Sequence, residues 1–461
     1  MIGYSQEWMQ EKDDIIMEEM KKRIPEVAMD ANRPKYHIVS PASSLIDTWG
    51  GFYHKGYYHM FYDINADFDP GRYGGYFGHV RSKDLLHWEH LPLALAPEKE
   101  KDELQLNDGC IALDGAGRPI MYYTSVFFDP KRHREQVAVR GDDDLIRWER
   151  LDDVPRITME NHGGPWYHPG WSDPVIFREG GRTFMIISKC VTKDGHNQIP
   201  IYEAVDDTLL AWEYKGIFME DTGEVINFFK MNGKWVLIYC PYEKPVYFVG
   251  DFDLETLQFT PEKTDILCYG YISQGHLTNV SRGLYATTVI EAPEDRKILF
   301  GWVSGFDDPE PEGWAGAIGI PRDVFLDDQK RVGMRPVPEL KQLRRGMQSI
   351  APEGGSYSCG NAFELVLAAE GQGEVKIDIN GTTLQLNSEV FRLRDITVEA
   401  DKYDGFQDLH LYVDVSTAEL FINGGVCSIT RCIPTLSEKV DIKVERSGCY
   451  IKEGFLYNLG G

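Results

Sequence analysis

No run of apolar residues approaches the roughly 18 that a membrane-crossing helix needs, so no such span is expected. The opening MIGYSQEWMQEKDDIIMEEMKKRIPEV lacks the apolar middle of a secretory signal. Eight cysteines are scattered without CxxC spacing, which argues against structural zinc and for reduced, buried thiols, as in a cytoplasmic protein. Histidines such as His37, His54 and His59 do not join them at ligand spacing, and neither a metal nor a cofactor is expected. Positive charge is also scarce. The 48 Lys and Arg stand against 73 Asp and Glu, and a net charge of −25 suits neither nucleic acid nor an anionic membrane. What is present is ample core material: 461 residues, 42% hydrophobic and 12% aromatic, enough for two or three globular domains.

The first segment reads as a helix over about 6–23. Ser5 can cap it, Glu7 and Glu11 lie near its start, and Lys21, Lys22 and Arg23 form a closing basic turn before Pro25. Ile16, Met20 and Ile24 fall four apart and make a stripe for packing. Beyond Pro34, strand signals take over and recur. GGFYHKGYYHMFYD, CIALDGAGRPIMYYTS, PVIFREGGRTFMIIS, INFFKMNGKWVLIYC and LYATTVIEAPEDRKILFGWVS each read as a hairpin, with turns 53 to 64 residues apart. Such a period predicts a radial array, and four strands per unit make it a five-bladed β-propeller. An all-β sandwich meander is the competing arrangement, and it rarely keeps a period of this size.

Four of the five units carry an acid at one point. Asp47 lies eight residues before its turn, Asp108 seven, Asp173 seven and Glu224 eight. A solvated loop carboxylate would account for any one of them. In a propeller, however, the innermost strands line a channel, so equivalent positions converge and their charges raise one another's pKa values. Several carboxylates without a metal suit glycoside cleavage, where one acid protonates the leaving oxygen and another attacks carbon or activates water. Trp49, Tyr53, Tyr76, Trp166, Trp171 and Trp302 are aromatics that could stack on a sugar face or simply pack between blades.

The stretches RPKYHIVSP, WGGFYHKGYYHMFY, FGHVRSKDLLHWEHLPLALAP, SDPVIF, GEVINFFKMNGKWVLIY, DRKILFGWV and GWAGAIGIPRDVFL together resemble glycoside hydrolase family 32, the invertase and fructanase family. LHLYVDVSTAELFINGG, residues 409–425, resembles that family's C-terminal β-sandwich. The resemblance implies cleavage of β-fructofuranosides with retention. By position, Asp47 would be the nucleophile, Glu224 the general acid/base and Asp173 the transition-state stabiliser. The neighbours depart from the family pattern. Asn-Asp-Pro-Asn-Gly becomes Ile46-Asp47-Thr48-Trp49-Gly50, and Arg-Asp-Pro becomes Ser172-Asp173-Pro174. Glu-Cys-Pro becomes Glu224-Val225-Ile226, a usual Gln becomes Asp63, and Ser-Gly-Ser becomes Asp108-Gly109-Cys110. Trp49, Asp63, Asp108, Ser172 and Trp302 are the expected substrate contacts. With no cation near in sequence, the site reads as strongly negative, hostile to a phosphorylated sugar and open to a neutral or amine-bearing one.

Residues 1–32 are expected to form the helical extension, 33–340 the propeller and 341–461 a β-sandwich, joined at RVGMRPVPELKQLRR. Asp414 and Glu419 read as solvent-face residues of the sandwich, and Cys427 and Cys432 as packing thiols. The expected protein is all-β, a retaining glycosidase of a small oligosaccharide or glycoside, with a homo-oligomer possible. A fructosyltransferase on the same scaffold and a carbohydrate-binding protein without turnover are the alternatives.

Overall fold

Three of the five turns are two-residue loops, each built from a left-handed pair. Lys55-Gly56, Gly180-Gly181 and Asn232-Gly233 have φ of 46° and 82°, 58° and 76°, and 50° and 79°. Positive φ at both central residues is the turn geometry that matches strand twist, and glycine takes the second place without penalty. The hairpins these turns close are Ser43–His54 with Tyr57–Asn65, Ser172–Glu179 with Arg182–Ser188, and Glu224–Met231 with Lys234–Cys240. The other two hairpins pair Glu103–Leu113 with Pro119–Phe127 and Gly283–Glu291 with Lys297–Ser304.

The computed structural model describes residues 2–11, 14–65, 75–221, 223–271, 282–306 and 311–460. The protein is almost entirely β-sheet. Each hairpin belongs to its own sheet. The first strand of each hairpin packs on the first strand of the next, and the fifth packs on the first, so these inner strands close a ring. Side chains stitch the ring together. Thr48 Oγ1 donates to the Ala286 carbonyl (2.6 Å), Asn227 Nδ2 to the Thr287 carbonyl (2.7 Å), and the Asp173 amide to Thr124 Oγ1 (3.0 Å). The first and fifth sheets also exchange strands. Trp314–Ala315 lies parallel to the start of Ser43–His54, and Ile38–Val39 pairs with Ala317–Ile318. Aromatics fill the space between the third and fourth sheets, where Phe228 stacks on Trp235 at 4.4 Å.

The N-terminal segment differs from the single helix expected. A strand, Ile2–Tyr4, runs parallel to Trp88–Leu95 at the edge of the first sheet. Two helices follow, α1 (Gln6–Gln10) and α2 (Ile15–Val27). Ser5 caps α1 as expected, with Oγ accepting from the Trp8 amide. Asp14 provides a second cap, accepting from the Ile16 and Met17 amides at 2.9 and 3.2 Å, and so starts a new helix. Pro25 does not end α2, which runs on to Val27, so Lys21–Arg23 are not its last turn. The stripe of Ile16, Met20 and Ile24 does pack on the body of the protein. No described helix is long and apolar enough to cross a membrane.

After the fifth sheet ends at Pro336, a short 3-10 turn, Pro338–Leu343, leads into two six-stranded antiparallel sheets that share one core. All eight cysteines, Cys427 and Cys432 included, are buried thiols outside any disulfide. Asp414 and Glu419 correct the sequence reading: both are fully buried. Asp414 accepts from the amides of Lys35, Tyr36 and His37, and its Oδ2 lies 2.8 Å from His37 Nδ1. Glu419 lies 2.7 Å from His37 Nε2, accepts from the Ile320 amide and pairs with the buried Arg322. The strand alternation was right, but the polar face abuts the ring of sheets instead of water.

Burial alone would lower the His37 pKa, and the two carboxylates overcome it, lifting it from 6.5 to about 9. A raised pKa contributes stability that is complete below pH 6.5 and disappears as pH climbs through about 9. That linkage amounts to about 3 kcal/mol. The urea midpoint of the wild type should therefore fall steeply between pH 6.5 and 9. His37→Gln should be less stable at pH 6.5 and show a flatter profile. Parallel profiles for the two proteins would exclude the charged His37.

Candidate active site

The five inner strands share a defect. Pairing shifts between Ile46 and Thr48, Asn107 and Gly109, Ser172 and Pro174, Glu224 and Asn227, and Tyr285 and Thr287. A bulge re-aims the side chain it displaces. The displaced residues are Asp47, Asp108, Asp173, the pair Val225-Ile226 next to Glu224, and Ala286. Asp47, Asp173, Val225 and Ala286 have φ of 39°, 59°, 52° and 42°. For a β-branched residue such as Val225 this region costs about 1–3 kcal/mol and persists only where the surroundings impose it. Here the Val225 amide donates to Asp173 Oδ2 at 3.2 Å. Behind Asp108, a side chain at Gly109 would meet the Tyr122 carbonyl at 2.0 Å, so the strands can approach only at glycine.

The bulges thus gather carboxylates. Asp108, Asp173 and Glu224 are buried, and Asp63, opposite Ile46 on the neighbouring strand, joins them. One oxygen each of Asp47, Asp63 and Asp108 lies within 4.8 Å of the others. Burial, followed by the charge of Glu224, pushes Asp47 from 3.8 up to about 7, with Lys189 pulling the other way. Burial and the charge of Asp47 hold Asp63 and Asp108 well above the usual carboxylate range.

A cation stands among these acids, which corrects the expectation of a site without one. Lys189 Nζ lies 2.5 Å from Glu224 Oε2 and 3.4 Å from Asp173 Oδ2. Burial works against its charge, but Asp173 and Glu224 keep its pKa well above normal. Glu224 Oε1 accepts from the Tyr285 hydroxyl at 2.7 Å, and the same oxygen of Tyr285 accepts from the Tyr242 amide. Ser188 Oγ also donates to Asp173 Oδ2 at 3.3 Å. Lys189, Tyr285 and Tyr242 escaped the sequence reading because none occupies the repeated pre-turn position. Lys189 follows the second strand of its hairpin and enters the site through a left-handed turn, φ 54°.

The other sequence-derived contacts have defined places. Ser172 is fully buried and accepts from Arg134 Nη1 at 2.9 Å, so an arginine from the neighbouring sheet approaches where the motif's own was lost. Trp49 is packed on Phe61 and Phe77 and donates through Nε1 to Asp63 Oδ1 at 3.0 Å. Its ring therefore supports an acid and is not a stacking platform. Trp302 is buried in the core opposite Tyr285, and its Nε1 has no partner among the described residues. Trp171 is core, while Trp166 is 40% exposed, edge-on to His133. A cavity of about 480 Å³ inside the ring is lined by all five inner strands; Asp108 and Asp173 border it, whereas Asp47, Asp63, Glu224 and Lys189 do not.

The arrangement offers one half-buried acid, Asp47, whose shielded Oδ1 is unpartnered among the described residues, and near enough to feel its charge a second acid, Glu224, whose two oxygens are both held. Comparison with known proteins bears on that arrangement. The model of the glycosyl hydrolases family 32 N-terminal domain matches residues 37–336. A sucrose-6-phosphate hydrolase of Bacillus subtilis is 26% identical over 88% of this chain and 90% of its own length. The structure of sucrose-6-phosphate hydrolase from Lactobacillus gasseri superposes with a TM-score of 0.80 at 21% identity, covering 99% of this chain and 98% of that one. The Bombyx mori GH32 beta-fructofuranosidase BmSUC1 gives 0.77 at 22%, covering 96% and 97%. With the matched segment running from His37 at the buried interface to the last strand of the fifth sheet, the chain belongs to glycosyl hydrolase family 32.

Proposed function

We propose that the protein hydrolyses a β-fructofuranoside with retention of configuration, using Asp47 as nucleophile, Glu224 as general acid/base and Asp173 to bind the sugar's hydroxyls. The relatives' names carry the substrate class, and the observation that carries the mechanism is the pairing of a free Asp47 oxygen with a clamped Glu224. Asp47 attacks the anomeric carbon, the bond to the leaving oxygen breaks, and Glu224 supplies that oxygen's proton. Water then gives a proton to Glu224 and its oxygen to the anomeric carbon, freeing Asp47. Lys189 orients Glu224 and Asp173, and Tyr285 fixes the other Glu224 oxygen. Asp63, braced by Trp49, and Asp108 face the sugar, while Ser172 and Trp302 support the site from behind. The five sheets are read as blades of a propeller spanning residues 33–340, the preceding residues as an extension of it, and 341–461 as the sandwich.

Nuclear magnetic resonance of the first turnovers on sucrose tests the proposal. Free fructose should appear as the β-furanose before it mutarotates. An α-anomer as first product would exclude retention, and fructose appearing only on another sugar would make the protein a transferase.

A further inference from the structure

The triangle of Asp47, Asp63 and Asp108 has a size that restricts what can sit in it. Three atoms within 4.8 Å of one another share a central point at most about 2.8 Å from each. That is the separation of an ammonium nitrogen from carboxylate oxygens in charge-assisted hydrogen bonds. Asp108 is only 4% exposed, and its Oδ1 has no partner among the described residues; Asp47 Oδ1 is likewise free. Lys189 cannot serve them, since Glu224 and Asp173 hold it. Buried acceptors left unpaired cost about 1–3 kcal/mol each, so the pocket is built for a donor that arrives with the ligand.

We propose that the triangle of Asp47, Asp63 and Asp108 selects a fructofuranoside bearing a protonated amine. The inference rests on the fructofuranosidase reading above and names the substrate class within it. An ammonium has three donors and no acceptor, matching three carboxyl groups. Calcium takes six to eight oxygen ligands, and of the neighbouring oxygens of Glu224 and Asp173 only Asp173 Oδ1 is without a partner among the described residues, the others being engaged by Tyr285, Lys189, Val225 and Ser188. A hydroxyl brings one donor and no charge, whereas an ammonium also supplies the opposite charge that favours ionising Asp63 and Asp108, which burial holds well above the usual carboxylate range.

Calorimetry at pH 7.5 tests this with a non-hydrolysable thiofructofuranoside and its monoamino derivatives, each hydroxyl replaced in turn. One derivative should bind the wild type about tenfold or more tighter than the parent. The advantage should vanish in Asp63→Gln and in Asp108→Ser; two variants guard against one that fails to fold. If no amine outbinds the parent, or if the preference survives in both variants, the inference falls. It falls equally if millimolar calcium chloride binds at the triangle and displaces the preferred amine. Failure of parent and derivatives alike to bind would overturn the fructofuranosidase reading as well.

Discussion

Asp47→Asn is expected to reduce kcat/KM on any fructofuranoside by about 10⁴-fold or more, the scale seen when a covalent nucleophile is removed. The amide is isosteric with the carboxyl but cannot form the glycosyl ester. The neighbouring acids are poor substitutes: Glu224 and Asp173 are tied to Lys189, Asp63 to Trp49, and burial holds Asp108 well above the usual carboxylate range, which makes it a weak nucleophile. The fold should not suffer. Asp47 lies among like charges and burial has already lifted it to about 7, so removing its charge relieves repulsion. The melting temperature should hold or rise while turnover disappears. Activity within tenfold of wild type, with unchanged circular dichroism, would remove Asp47 from the mechanism.

Glu224→Gln should lose activity unevenly. A general acid is worth about 10²–10⁴-fold when the leaving group is poor, and little when an aryloxide departs without a proton. The variant should therefore fall about 10³-fold on sucrose but less than about tenfold on a nitrophenyl fructoside in the glycosylation step. The local structure adds a second effect. Gln can still accept from Tyr285 through its oxygen, but its amide group then faces the Lys189 ammonium, donor against donor. Lys189 should shift toward Asp173. Equal losses on both substrates would give Glu224 a binding role in place of proton transfer.

The parts of this architecture legible in the sequence were those with a local cause. Asn232-Gly233 and Gly180-Gly181 announce their turns because few residues accept two successive left-handed conformations, and the hairpin spacing follows from those turns. The acids at 47, 108, 173 and 224 stood out because a bulge recurs at one depth of every inner strand. Lys189 had no such regularity. It reaches Glu224 only because the third and fourth sheets meet, a fact of packing with no trace in spacing. The same blindness made Asp414 and Glu419 look solvated. Alternation along a strand marks two faces, but what covers the polar one, here His37 and Arg322, is decided far away in the chain, 97 residues off for Arg322 and 382 for His37 from Glu419. The packing of Trp49 was hidden for a similar reason: aromatic character says nothing about whether Phe61 and Phe77 already lie against the ring.

The latch from Thr48 to Ala286 has a consequence for how the protein comes into being. It joins positions 238 residues apart, and one end adjoins Asp47. During synthesis the first hairpin leaves the ribosome early, yet its inner strand finds its flanking partner only when the fifth hairpin has emerged. At about 5–20 residues per second that delay is on the order of ten seconds or longer. Through that interval the first sheet carries its acids on an open seam. Catalytic competence is then among the last properties the nascent chain acquires, and a truncated product ending before the fifth hairpin would be without activity however well its earlier sheets had formed.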